Sequence, residues 1–288
     1  MRELVATIAK PLALSLFLRQ SFPSLPQRQL KNALERRDVK REGRRLGPGD
    51  LVFPGDRLQV FIDERYLAVP RPEILFADEN LLLAVKQPGI SVTEDKAGAC
   101  TLEALVRQEY PGARACHRLD FYTGGLVVFS LNERSRLALE TAFRDRSLNK
   151  FYRCLVFGKP VPGRGLLRGY LKKEADQALV RVTERETPGA LPIETAYETL
   201  DSCETVSLLR VELITGRTHQ IRAHLAAAGF PVCGDDRYGD RAKNRAFHVR
   251  TQQLWATELI FHFAGGPLAY LDGRAFSIRP RFTMRGFE

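Results

Sequence analysis

The chain has 288 residues, of which 44% are apolar and 27% charged. These are ordinary globular values that exclude global disorder, and the 22 glycines and 16 prolines are too few for a low-complexity chain. Lysine and arginine number 44 against 34 acids, a net charge of +10, which favours a polyanionic partner: nucleic acid first, an anionic membrane surface second. The five cysteines (Cys100, Cys116, Cys154, Cys203, Cys233) are odd in number, scattered and never at CxxC spacing. A disulfide framework or zinc site is therefore not expected, and reduced thiols of a cytoplasmic protein are.

In chain order, LVATIA and PLALSLFL come first. Lys10 and Pro11 interrupt them, Glu3 spoils a basic leader and no A-x-A site follows, so no signal peptide is expected. No apolar run reaches the roughly 18 residues of a membrane helix, so no membrane partner is expected. The stretch RQLKNALERRDVKREGRR follows, with Arg28, Lys31, Arg36, Arg37, Lys40, Arg41, Arg44 and Arg45 against Glu35, Asp38 and Glu42. Ser24 and Gln27 read as a capping box with Pro26 in the first turn, and Leu30, Ala33 and Leu34 make one apolar stripe. Short extended pieces come next: DVKREG, a Gly-Pro-Gly turn at Gly47–Gly49, and LVFPGDRLQVFI broken by the Pro54–Asp56 turn. Residues 1–65 thus read as a small α/β unit of two short helices followed by small strands. A proline-marked linker spans 66–72, and 73–288 form the main domain.

In that domain ILFAD, LLLAVK, GLVVFSL, KFYRCLVFG and TVSLLRVELIT read as strands, and TLEALVRQEY, NERSRLALETAFRDR and THQIRAHLAAAG as helices. The order is not a regular βα alternation. The fold class expected is α+β, with a mixed, largely antiparallel sheet flanked by helices.

Four stretches can carry chemistry. In His117-Arg118-Leu119-Asp120 the aspartate stands where an extended piece meets a turn, and Thr123-Gly124-Gly125 feeds the next apolar strand. A carboxylate there can be nucleophile, general base or metal ligand; taken alone, it more often caps a turn. Gly216-Arg217-Thr218-His219-Gln220-Ile221-Arg222-Ala223-His224 reads as a glycine turn and a helix opening at Thr218. His219 and Arg222 share a face, a zinc pair at i and i+4 is absent, and the cations suit a phosphate or ordinary surface salt bridges. Lys150-Phe151-Tyr152 opens a strand, where a ring beside a cation suits a stacked base, or is simply a half-buried strand tyrosine. In Val232-Cys233-Gly234-Asp235-Asp236-Arg237-Tyr238-Gly239 the adjacent acids suggest a cation site but lack calcium-loop spacing. No P-loop, dinucleotide fingerprint or HExxH occurs, so no cofactor or metal is expected.

Together these stretches resemble the RluA-type pseudouridine synthases. HRLD-x-x-T-x-GL matches around Asp120, K-x-Y matches Lys150–Tyr152, and GRTHQIR-x-H matches Gly216–His224. GFPVCGDDRYG and LAVKQPGISV approximate two further family segments, and the motifs follow the family's order over residues 73–265. The basic unit resembles the αL RNA-binding motif of ribosomal small-subunit protein four, with Glu42-Gly43 replacing the usual Asn-Gly turn. Gly124 stands where the family usually has serine, Trp255 where it often has histidine and Phe263 where it often has proline.

The resemblance implies an isomerase that converts uridine in RNA to its carbon-glycoside isomer without cofactor or metal. It assigns Asp120 as nucleophile or ion-pair stabiliser, Arg222 as the cation that keeps this carboxylate charged where water is excluded, and Tyr152 as the ring stacked on the flipped uracil. Arg118, Arg217 and His219 are expected to contact RNA near the site, and the eight basic residues of the N-terminal unit to hold structured RNA through phosphates. Large-subunit ribosomal RNA is the first expected target, transfer RNA the second, and the chain is expected to act as a monomer. The alternative is a non-catalytic RNA-binding factor of ribosome assembly. A nucleic-acid glycoside hydrolase is a third reading and would release free base.

Overall fold

The computed structural model describes residues 2–22, 27–61, 71–93, 101–174 and 179–287, and its chain divides into two compact units. The first holds residues 1–72 together with 90–111. In it, β1 (Arg2–Val5), β2 (Leu12–Ala13), α1 (Leu14–Ser21), α2 (Gln27–Glu35), β3 (Val39–Arg41), β4 (Arg44–Arg45), β5 (Leu51–Val52) and β6 (Arg57–Val60) follow one another, and α3 (Leu102–Glu109) lies in the second segment. One sheet runs β1-β6-β3-β4 and a small one pairs β2 with β5. Two short strands thus precede the helices, where the sequence suggested that helices open the unit. The stripe Leu30, Ala33 and Leu34 is buried, with Leu30 and Leu34 packed in one core with Leu14, Phe17, Leu18, Phe22, Val39, Leu58 and Val60. Each such side chain contributes about 1.5–3 kcal/mol of transfer free energy. The apolar N-terminal stretches are therefore core material. The capping box at Ser24–Gln27, the side chain of Arg28 and most of the 66–72 linker lie outside the described residues.

Between β3 and β4, Glu42 (φ 50°) and Gly43 (φ 83°) are both left-handed. A two-residue hairpin loop with two positive φ angles is the form Asn-Gly usually takes, so Glu42 adopts the asparagine's conformation without its ease. Arg41 spends its guanidinium on Asp56 (Nη1 to Oδ2, 2.7 Å), which also accepts from the Phe53 amide and so closes the Pro54–Asp56 turn. Lys31 pairs loosely with Glu35 (3.7 Å), and Arg45 donates to the carbonyls of Arg36 and Arg37. Lys31, Arg36, Arg37, Arg44 and Arg45 are exposed, whereas Lys40 and Arg41 are partly covered.

The second unit holds 73–89 and 112–288. Its elements are β7 (Glu73–Ala77), β8 (Leu81–Lys86), β9 (Arg114–Ala115), β10 (Gly124–Ser130), α4 (Glu133–Asp145), β11 (Leu148–Phe157), β12 (Arg164–Lys173), β13 (Val180–Thr183), β14 (Leu191–Ser202), β15 (Val206–Leu213), α5 (Gln220–Ala227), α6 (Arg241–Ala246), β16 (Leu254–Phe261) and β17 (Ala275–Ser277). One sheet runs β13-β12-β14-β15-β11-β16-β10-β8-β7, with β17 on β16 and β9 on β10. The fold class is α+β as expected: every described pairing in this sheet is antiparallel except β10 with β16, where Gly124 faces Trp255 and Gly125 faces Ala256.

The central strands β8 and β10 are buried along their whole length, which is why LLLAVK and GLVVFS carry no polar alternation. Their side chains form the main core with Leu139, Ala142, Trp255, Leu259, Phe261 and Phe276. The helix α4 is capped by Asn132, whose Oδ1 accepts from the Ser135 amide at 2.8 Å. The strands β12, β13, β14 and β16 were not anticipated as strands. In β14, Ile193, Thr195 and Tyr197 are buried between exposed or half-exposed neighbours, a period of two masked by charge.

Candidate active site

Asp120 stands on a turn between β9 and β10 that is fastened from below. The Thr123 amide donates to the Asp120 carbonyl (3.0 Å). Lys86, the last residue of β8 and fully buried, donates its ammonium to the carbonyls of Thr123 (2.7 Å), Phe121 (2.9 Å) and Gln87 (3.1 Å). Gln252 donates to the Thr123 hydroxyl (2.7 Å). Burial pushes the Lys86 ammonium down to about 7, and the nearby Asp120 charge opposes that fall. Gly125 has φ +119°, and a Cβ there would meet the Ala256 carbonyl oxygen at 2.2 Å, so only glycine lets β10 leave the turn against β16. His117 is held neutral: burial, then the Lys150 charge, pushes its imidazole down to about 3, and Nε2 accepts from the Val128 amide.

The second wall is the start of α5. The helix opens at Gln220, two residues later than Thr218, and His219 is its left-handed N-cap (φ 56°). Gln220 explains the delay. Its buried amide accepts from the Arg217 backbone N–H (3.1 Å) and from the Thr215 hydroxyl (2.8 Å) and donates to Glu194 O and Thr195 Oγ1 on β14. The turn is thus pinned to the sheet before the helix begins. His224 is also structural: it meets Thr195 Oγ1 at 3.0 Å, and burial pushes it down to about 4.

Arg222 bridges the two walls. Its Nη1 donates to Asp120 Oδ2 at 2.9 Å, while Nε and Nη2 donate to Asp235 Oδ2 and Oδ1 at 2.7 and 2.9 Å. The Arg222 side chain is 5% exposed, that of Asp235 0% and that of Asp120 25%. Asp235 is further held by the amides of Arg237 (2.9 Å) and Tyr238 (3.0 Å). Burial alone would raise its carboxyl, but the Arg222 bonds and charge, with those two amides, outweigh this and hold it below the usual carboxylate value. Asp235 thus fixes the guanidinium by a two-pronged bond, and the remaining nitrogen aims at Asp120.

His219 lies beside the pair, with Nε2 at 3.9 Å from Asp120 Oδ1. The Tyr238 hydroxyl accepts from the Val180 amide (2.9 Å) and lies 3.0 Å from His219 Nδ1. Tyr238 thus ties the His219 ring to the Val180 amide and orients it beside Asp120. Burial, with the charges of Arg222 and Arg237, pushes this imidazole down against the pull of Asp120. Tyr152, on β11, is 7% exposed, and burial followed by the Asp120 charge pushes its phenol up, so it stays neutral. Arg118 and Arg217 are exposed.

The fold therefore gathers Asp120, Tyr152, His219 and Arg222 in the second unit, while the eight basic residues of the N-terminal stretch belong to the first. The sequence reading missed Asp235, Lys86, Gln220, Tyr238 and Gln252. The first four lie inside stretches already singled out, but Asp235 reads there as half of a weak cation site. Among the described residues no group of three or more His, Cys, Asp and Glu side chains could hold a metal ion. None of the described helices is long and apolar enough to cross a membrane. Two of the three departures from the synthase pattern prove to be neighbours: a Cβ on Gly124 would lie 2.5 Å from the Trp255 ring. The small residue and the large one fill one space.

Comparison with known proteins places the chain in a family. A family model described as RNA pseudouridylate synthase matches residues 80–227. An RNA pseudouridine synthase of Mycoplasma pneumoniae is 32% identical over 267 residues, 85% of this chain and 79% of that protein. The ribosomal large subunit pseudouridine synthase C of Vibrio parahaemolyticus is 28% identical over 271 residues, 86% and 82% of the two chains. The solved structure of the human RNA pseudouridylate synthase domain containing 1 shares the fold, with a TM-score of 0.58 at 23% identity over 75% of this chain and 93% of that one. The chain belongs to the RNA pseudouridine synthase family.

Proposed function

We propose that this enzyme isomerises specific uridines of large-subunit ribosomal RNA, with Asp120 as the reacting carboxylate. The observation that carries this reading is the fixed pair Asp120–Arg222, backed by the buried Asp235. A carboxylate facing a polyanion has no use in binding alone. A charged, aimed carboxylate is what breaking a glycosidic bond requires. In the reaction the bond from ribose C1′ to N1 breaks with help from Asp120, the uracil turns, and C1′ joins C5. The hydrogen on C5 leaves as a proton and N1 gains one, so atoms balance without a redox partner. Tyr152 stacks on the flipped base, and as a neutral phenol it moves the C5 proton by relay, taking one proton on oxygen as it gives up its own. Arg118, Arg217 and His219 grip the RNA strand around the site.

Ribosomal RNA is favoured over transfer RNA because the Vibrio relative is named for the large ribosomal subunit. Residues 1–65 act as a separate RNA-holding domain, a reading supported by the exposed Lys31, Arg36, Arg37, Arg44 and Arg45. The test is carbodiimide mapping of pseudouridine in RNA from cells with and without the gene. The expected result is a site in large-subunit RNA that vanishes with the gene and returns with the wild type but not with Asp120→Ala. A site that returns with Asp120→Ala overturns the assignment. Deleting residues 1–65 is expected to weaken RNA binding and flatten its salt dependence; an unchanged slope refutes the domain's role.

A further inference from the structure

The turn that presents Asp120 also presents two aromatic rings for which the reaction has no use. Phe121 and Tyr122 are 43% and 44% exposed, whereas Phe129, Phe157 and Phe261 of the same unit are buried. Single exposed apolar side chains are ordinary, but these two are contiguous. Their centroids are 4.9 Å apart and their planes stand at 88°, so they form a corner with two faces at right angles. The backbone beneath is anchored: the Phe121 carbonyl accepts from the Lys86 ammonium (2.9 Å) and the Gly89 amide (2.8 Å), and the Thr123 carbonyl from Lys86 (2.7 Å). The rings are wet and their mounting is rigid, which is the combination a preorganised stacking surface needs.

Their position says what would stack there. They follow Asp120 directly in the chain, and the exposed Arg118 lies two residues before it. A uridine that reaches Asp120 has left its stack, and the base next to it has lost a neighbour. An aromatic face offers that base a replacement whatever its identity, while Arg118 can meet the phosphate between them. We propose that Phe121 and Tyr122 form a subsite for the nucleobase adjacent to the target uridine. This proposal rests on the reading of Asp120 as the reacting carboxylate, and it adds a determinant of which opened RNA strands the site accepts.

The test uses the purified full-length chain and ribosomal RNA transcripts made with uridine tritiated at C5, because isomerisation releases that hydrogen. Phe121→Ala and Tyr122→Ala are compared with the conservative Phe121→Trp and Tyr122→Phe. Each alanine is expected to raise KM by roughly 5- to 150-fold with little change in kcat, the range for loss of one base–aromatic stack. The conservative variants stay near the wild type in both KM and thermal midpoint, and the single alanines stay folded because both rings lie on the surface. A double alanine variant with the wild-type KM overturns the subsite, as do conservative variants as impaired as the alanines. Asp120→Ala serves as the control for the underlying reading: tritium release by that variant refutes Asp120 as the reacting carboxylate and not the subsite. A binding arm decides the subsite in every case. A fluorescein-labelled single-stranded oligoribonucleotide should bind the double alanine variant more weakly than the wild type, and an abasic version of it should bind both equally. Equal affinity of the two proteins for the base-bearing strand overturns the proposal.

Discussion

Replacing Asp235 by alanine tests the architecture of the site more sharply than any change to the reacting residues. Asp235 is fully buried and takes two hydrogen bonds from Arg222, itself 5% exposed. Without it, a buried guanidinium keeps one nitrogen on Asp120 and loses its fully buried, two-pronged charge partner. Breaking a buried ion pair from one side costs about 3–5 kcal/mol, far more than the pair is worth against apolar replacements. Asp236 lies 3.7 Å from Nη2, is mostly exposed and can swing in, which argues for the lower end, about 3 kcal/mol. For a unit of this size that is about 6–12 °C in Tm. Asp120→Ala makes the opposite prediction. It removes a single hydrogen bond from a side chain one-quarter exposed and leaves Arg222 bonded to Asp235, so stability should change by no more than about 1 kcal/mol. Urea denaturation and tritium release on the two variants give the comparison: Asp235→Ala unstable and impaired, Asp120→Ala stable and inactive. If Asp235→Ala unfolds at the wild-type urea concentration, or both variants lose equal stability, Arg222 is not held as described.

The same pair sets an acid limit. The Asp235 carboxyl is held below its unfolded value, so its contribution to stability is full above pH 4, roughly the unfolded carboxyl pKa, and is lost as pH falls through the lower folded value. Denaturation midpoints from pH 6 to pH 3 should fall below about pH 4 and fall less steeply in Asp235→Ala; parallel curves refute the linkage. Gly124→Ser places a side chain within the Trp255 ring and should cost about 1–3 kcal/mol. Trp255→His, destabilising alone, should relieve that clash, so the double variant is more stable than the sum of the singles predicts. Additive losses in a double-mutant cycle would show that the two residues do not share one space.

Much of the framework was legible because burial wrote it into composition. Leu81–Lys86 and Gly124–Ser130 lie inside the sheet, and their unbroken apolar runs can be little else. The β12 and β14 strands escaped because Arg164, Arg168, Glu194 and Glu198 line faces open to water, and charge hides the alternation of Ile193, Thr195 and Tyr197. The trio assigned to the reaction, Asp120, Tyr152 and Arg222, was legible only through motif resemblance, since Asp120 and Arg222 lie about a hundred positions apart. What failed to show was the support. Asp235 beside Asp236 looks like a solvated acidic loop until the fold brings Arg222 against it. Lys86 ends an apolar strand and reads as its polar terminus, yet it is buried with three carbonyls around it. Gly124 and Trp255 become one feature only through the parallel register of β10 and β16.

The central claim is that the carboxylate of Asp120, paired with Arg222 and aimed by it, performs the isomerisation. Asp120→Asn tests it most directly, because the amide keeps the side chain's shape and loses its charge and nucleophilicity. Single-turnover tritium release from C5-labelled ribosomal RNA transcripts should fall to background, while RNA affinity and Tm stay at wild-type values. Release by the asparagine variant within tenfold of the wild type would contradict the account.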